Sequence, residues 1–105
     1  MAKTTFLIAG ERGYSKNKLW LDGKEILPEK SLRISNHSPD GFEWGYMGSG
    51  PAQTALALCL EIMDPDQAVA MHQAFKMAFV AQWQEDNFSV IIDIQAFLDE
   101  QLSLD

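Results

Sequence analysis

Apolar residues along this chain change their spacing three times, from every second position to every third or fourth, briefly back, and then to helical spacing again. Near the start, Thr4-Thr5-Phe6-Leu7-Ile8-Ala9 is a β-branched and apolar run that predicts a strand ended by Gly10. Lys18-Leu19-Trp20-Leu21 and Glu25-Ile26-Leu27 flank Asp22-Gly23, a dipeptide suited to the positive φ angles of a tight hairpin turn. Pro28 limits further pairing, because it has no N–H to give to a ladder. Ser31-Leu32-Arg33-Ile34 alternates polar with apolar and reads as another short strand. Phe42-Glu43-Trp44-Gly45-Tyr46 alternates as well, which places Phe42, Trp44 and Tyr46 on one face.

The pattern then turns helical. Pro51 suits a first helical position, where its missing N–H would be unpaired anyway. Gly50 is then the cap, and Gln53 stands where a capping box needs it. From Ala52 to Met63 apolar residues occupy most of the helix circumference, the signature of a central buried helix. Asp64-Pro65-Asp66-Gln67 repeats the start signal with a better cap. That second helix runs to about Trp83, with Ala68, His72, Phe75, Phe79 and Trp83 on one stripe. The two helices form an antiparallel hairpin. Phe88-Ser89-Val90-Ile91-Ile92 is a further strand, and Asp93 caps a last helix with Ile94, Phe97, Leu98 and Leu102 on one side. Strands segregate from helices. The expectation is a single α+β domain over residues 1–105. Its small, mostly antiparallel sheet of about three to five strands is packed by an αα-hairpin and a C-terminal helix.

Composition narrows the class. A chain of 105 residues with 47% hydrophobic content sustains one ordered core. No apolar run approaches the roughly 18 residues of a membrane span. The start, Met-Ala-Lys-Thr-Thr, lacks the basic-then-apolar build of a secretory signal. Cys59 is the sole cysteine, which rules out an internal disulfide and suits a reducing cytoplasm. Between Leu58 and Leu60 it reads as a buried, inert thiol. Cytoplasmic localisation is therefore expected.

Charge changes the picture more. The net charge is −7, but residues 1–33 hold seven of the eight Lys and Arg against four acids. Residues 34–105 hold Lys76 against eleven acids, a balance of −10. Such a chain is unsuited to direct DNA binding, which needs clustered cations. The acids instead favour a protein partner with a basic surface, with Asp64, Asp66, Glu85 and Asp86 as the candidate contact. One version has the acids of residues 61–66, 85–93 and 99–105 standing in for nucleic-acid phosphates.

The densest candidate chemistry lies between Asn36 and Leu58. Free amides from Gly48 to Gln53, with the helix dipole, offer an anion site to which Ser49 adds a hydroxyl. Trp44 and Tyr46 are candidates to stack on a planar group, and Asn36 and His37 to hydrogen-bond it. A nucleotide or cyclic nucleotide is the natural ligand of such a set. The same residues also read as architecture. Gly-Ser-Gly-Pro is an ordinary strand-to-helix connection, and a Gly-rich phosphate loop normally adds a Lys or a further glycine. For catalysis, Ser49 with His37 or His72 lacks a nucleophile elbow. No H-x-x-x-H or H-x-x-E-H spacing assembles a metal site. Neither catalytic residues nor a cofactor are expected.

The run Asn36-His37-Ser38-Pro39-Asp40-Gly41-Phe42-Glu43-Trp44-Gly45-Tyr46 is followed by Gly48-Ser49-Gly50-Pro51-Ala52-Gln53 and Ala55-Leu56-Ala57-Leu58. Together they resemble a family of small uncharacterised proteins of bacteria, phages and integrative elements, known as a domain of unknown function. Phe75-Lys76, Phe88 and the last amphipathic helix are similar to the family pattern too, and the N-terminal third fits more loosely. The resemblance implies a gene of mobile DNA and no particular activity. It leads to the expectation of a small acidic, non-enzymatic interaction protein that binds, and in its sharpest form inhibits, a host defence protein. Capture of a small anionic ligand at the helix start is the alternative. A homodimer covering the rest of the apolar helix is a third reading.

Overall fold

The computed structural model describes residues 3–103. Asp105, counted above among the acids, and Met1 and Ala2 of the leader comparison lie outside the described residues. Four strands make one sheet: β1 (Thr5–Glu11), β2 (Lys18–Leu21), β3 (Lys24–Ile26) and β4 (Asn87–Asp93). Their order is β3-β2-β1-β4, and every neighbouring pair is antiparallel. The expected hairpin forms where Asp22 (φ 51) and Gly23 (φ 84) take positive angles together. Asp22 also turns its carboxylate back to accept the Leu7 amide at 2.9 Å.

The period-two pattern decides which face of the sheet is covered. Ile8, Leu19, Leu21, Ile26 and Ile92 point inward and are buried. Leu7 and Ile91, paired in register, point outward, with Ala9 opposite Trp20 beside them. Gly10 does not end β1 as expected. It sits within the strand, and a Cβ there would lie 2.3 Å from Cε1 of Phe88. The missing side chain makes room for that ring.

Two expected strands are absent. Residues 31–34 belong to a helix, α1 (Glu29–Ile34), entered through Pro28 with φ −76. Pro28 fixes a helical φ, Glu29 and Arg33 suit the two ends of the dipole, and Ser31 Oγ donates to the Pro28 carbonyl at 2.9 Å. Residues 42–46 are irregular, because Gly41 (φ 99) and Gly45 (φ 90) bend the chain on both sides of Trp44. Phe42 and Trp44 are buried, but Tyr46 leaves their face and is half-exposed.

The apolar rod is where the pattern placed it. Helix α2 (Ser49–Ile62) is buried at every residue from Gly50 to Leu60. It starts earlier than expected, with Gly48 at the cap rather than Gly50, and Gln53 forms no capping box. Helix α3 (Pro65–Ala78) begins as expected, with the Asp64 carboxylate accepting from Gln67 N at 3.0 Å. It stops short of Trp83, since Phe79 leaves helical angles and a 3-10 turn over Val80–Gln82 follows. Trp83 is nevertheless buried. Asp93 caps α4 (Ile94–Leu102) by accepting from Gln95 N and Ala96 N. Ile94 and Phe97 face the core, whereas Leu102 is 73% exposed and off the packed side expected for it. No described helix is long and apolar enough to cross a membrane.

Candidate functional site

The loop between α1 and α2 carries the candidate residues, and two side chains of α2 hold it in place. Gln53, fully buried, accepts from the backbone amides of His37 (2.7 Å) and Ser38 (3.0 Å) through Oε1. Its Nε2 donates to Ser31 Oγ at 2.9 Å. Thr54, also fully buried, accepts the Glu43 amide at 2.9 Å and lies 2.7 Å from the Glu43 carbonyl, to which its hydroxyl donates. A buried carboxamide and hydroxyl would be costly without partners. Here each joins the loop to the rod, and the loop's own backbone polar groups are satisfied in the same bonds. The sequence reading of Gln53 as a cap failed because the amides it binds lie 16 and 15 residues away rather than in its own helix.

Trp44 is the loop's anchor. It is fully buried, its indole N–H donates to the Glu85 carbonyl at 2.9 Å, and its ring meets Phe88 edge-on at 5.0 Å. Arg12 clamps the same segment from the end of β1. Its guanidinium donates to the Glu43 carboxylate and to the Trp44 carbonyl (3.1 Å). It pairs with Asp86 at 3.1 Å and lies 4.7 Å from the Trp44 ring centroid. A planar fork with several donors is suited to such simultaneous contacts. Nothing in the sequence singled out Arg12, because its partners are more than thirty residues away.

His37 and His72, separate in the sequence, meet with their Nε2 atoms 3.0 Å apart. His72 Nδ1 lies 2.7 Å from the Val69 carbonyl, which can accept and not donate. The proton therefore belongs on His72 Nδ1, and His37 Nε2–H donates to the bare His72 Nε2. Burial lowers the pKa of His37 below the ordinary value, helped by repulsion from His72 and Lys76. Both nitrogens of His72 are taken, which leaves it no lone pair for activating Ser49. No three or more His, Cys, Asp or Glu converge among the described residues in a way that could hold a metal ion. Cys59 is fully buried in α2, and burial pushes its thiol pKa up.

The start of α2 is partly closed. A Cβ on Gly48 would lie 2.6 Å from the Tyr46 ring, and one on Gly50 would lie 2.6 Å from Glu43 Cβ and 2.9 Å from Tyr46 Oη. Tyr46 thus lies across the helix start, and the Glu43 methylenes pack beside it. Asn36 and Ser49 are exposed at the edge of this region. The four candidate acids do not converge. Asp64 and Asp66 sit at the start of α3, whose 14 residues span about 21 Å. Glu85 and Asp86 follow the 3-10 turn beyond its other end, and Asp86 is engaged by Arg12.

Neither a curated protein nor a solved structure matches the chain. A family profile does, over residues 8–100, a span that includes the second half of β1, the motif loop, all of α2 and α3, and most of α4. The chain belongs to that family, a family of unknown function designated DUF6166.

Proposed function

We propose that this chain is a non-enzymatic interaction protein whose partner presents a basic surface. One observation carries the reading. From residue 34 to 103, eight acids are exposed, and Lys76, half-buried, is the sole Lys or Arg of that stretch. Arg12 pairs with Asp86 alone of these eight, and the exposed charge of one sign that is left steers an oppositely charged partner and rejects like-charged ones. The sharpest form of the proposal is a product of phage or mobile DNA that antagonises a host defence protein.

Capture of a small anion at residues 48–53 is the weaker reading. Trp44 is buried rather than available as a stacking shelf, and Gln53 is committed to the loop backbone. Tyr46 and Glu43 press against Gly50 where an anion would approach. The test is affinity capture from bacterial lysate with a salt gradient, using the wild type and a variant carrying Asp66→Lys, Glu85→Lys, Asp99→Lys and Glu100→Lys. A specific basic protein, released by salt and absent from the variant, is expected. Equal retention by both proteins would overturn the reading. A melting temperature raised by nucleotides and insensitive to those acids would favour the small-ligand alternative.

A further inference from the structure

The two edges of the sheet are unlike. β3 has three residues and runs into Pro28, so little backbone is left open there. β4 has seven residues, Asn87-Phe88-Ser89-Val90-Ile91-Ile92-Asp93, without Pro or Lys, and among the described residues it pairs with β1 alone. The phase of that ladder follows from the bonds at its ends: Arg12 N donates to Asp86 O, and Ile94 N to Thr4 O. Antiparallel pairs alternate, so the pairs exchanging bonds between are Gly10–Phe88, Ile8–Val90 and Phe6–Ile92. Ser89 and Ile91 therefore turn their N–H and C=O groups to the free side, and both residues are exposed.

A groove of about 460 Å³, its walls part apolar and part polar, runs beside this edge. Phe79, Ile91 and Phe97 line it, and Asp93 and Glu100 stand at its rim. Residues 77–103 contain no Lys or Arg and five acids, Glu85, Asp86, Asp93, Asp99 and Glu100, all exposed. A second copy paired edge to edge would bring two such sets together, and like charges across a strand pair are destabilising. An extended segment with cationic side chains would meet opposite charge instead.

We propose that the free edge of β4 docks an extended, lysine- or arginine-bearing segment of a partner protein, which joins the sheet as an added strand. Its backbone pairs with Ser89 and Ile91, its apolar side chains enter the groove over Phe79 and Phe97, and its cations face Asp93 and Glu100. This deepens the function proposed above and rests on it.

The probe is a fluorescein-labelled peptide alternating lysine with valine, read by anisotropy and by amide shifts in NMR. Two companion peptides replace lysine by glutamate, or carry N-methyl groups on the pairing amides. The lysine peptide is expected to bind, moving Ser89 and Ile91 most, and the companions to bind at least about tenfold more weakly. Ser89→Pro, which removes an outward N–H and no bond to β1, should weaken binding as much, and so should Glu100→Lys. Asp66→Lys, at the far end of α3, should not. The N-methylated peptide keeps the test valid even where Ser89→Pro disturbs folding. No binding by the lysine peptide, or equal binding by its N-methylated form, would overturn the docking mode. Weakening by Asp66→Lys alone would overturn it too, while leaving the acidic-surface reading standing. A dimer in light scattering that Ser89→Pro dissolves would assign the edge to a second copy instead.

Discussion

The motif loop and the β4 edge treat polar groups in opposite ways. In the loop, side chains that look made for a ligand are consumed internally: Gln53 by two amides, Trp44 by a carbonyl, His37 by His72. At the edge, ordinary residues such as Ser89 and Ile91 leave their backbone groups open. A residue's chemical repertoire is thus a poor guide to whether it faces outward. What matters is whether its donors and acceptors already have partners inside the fold.

The largest effect expected from disturbing the loop is that of Trp44→Ala. It removes a fully buried ring, its indole bond and the surface beneath Arg12, and should cost about 3–5 kcal/mol in a denaturant titration. Gln53→Leu keeps the volume but orphans two loop amides and removes the bond to Ser31 Oγ, which keeps its own to the Pro28 carbonyl. A loss of about 2–3 kcal/mol is expected, with the largest NMR shifts at His37 and Ser38. Were either variant to keep full stability, the loop would be a presented surface rather than a packed one.

Gly10→Ala should cost about 1–3 kcal/mol by thermal unfolding, because the added methyl meets the Phe88 ring. The smallest effect is the pH dependence of the His37–His72 contact. Burial, His72 and Lys76 hold His37 below its ordinary pKa of 6.5. The unfolded chain takes up that proton first as pH falls, so stability drops from about pH 6.5 downward until the folded pKa is reached. His37→Gln should flatten this part of a stability–pH profile. An unchanged slope would show that the histidine pair does not hold the loop.

Local signals were readable in the sequence where a few neighbouring residues decide the structure. Asp22-Gly23 makes its hairpin, and Asp64 and Asp93 cap their helices, because each cue and its target lie within a few positions. The unbroken apolar character of α2 likewise announces its burial. Alternation over four or five residues is weaker. At residues 31–34 the helical start set by Pro28 and Glu29 overrode it, and at 42–46 the positive φ of Gly41 and Gly45 did. The site was least readable where contacts span the chain. Arg12 reaches Glu43 and Trp44, and His37 reaches His72, across more than thirty positions. The free edge of β4 has no residue signature at all, since its chemistry is in the backbone and depends on which strands pair.

Residue-resolved hydrogen exchange by NMR tests the contrast between loop and edge most directly. Along β4, the amides of Phe88, Val90 and Ile92 should be protected while those of Ser89 and Ile91 exchange fast. The Trp44 indole N–H and the His37 and Ser38 amides should be slow. Uniform protection along β4, or a Trp44 indole exchanging like an exposed one, would contradict the account.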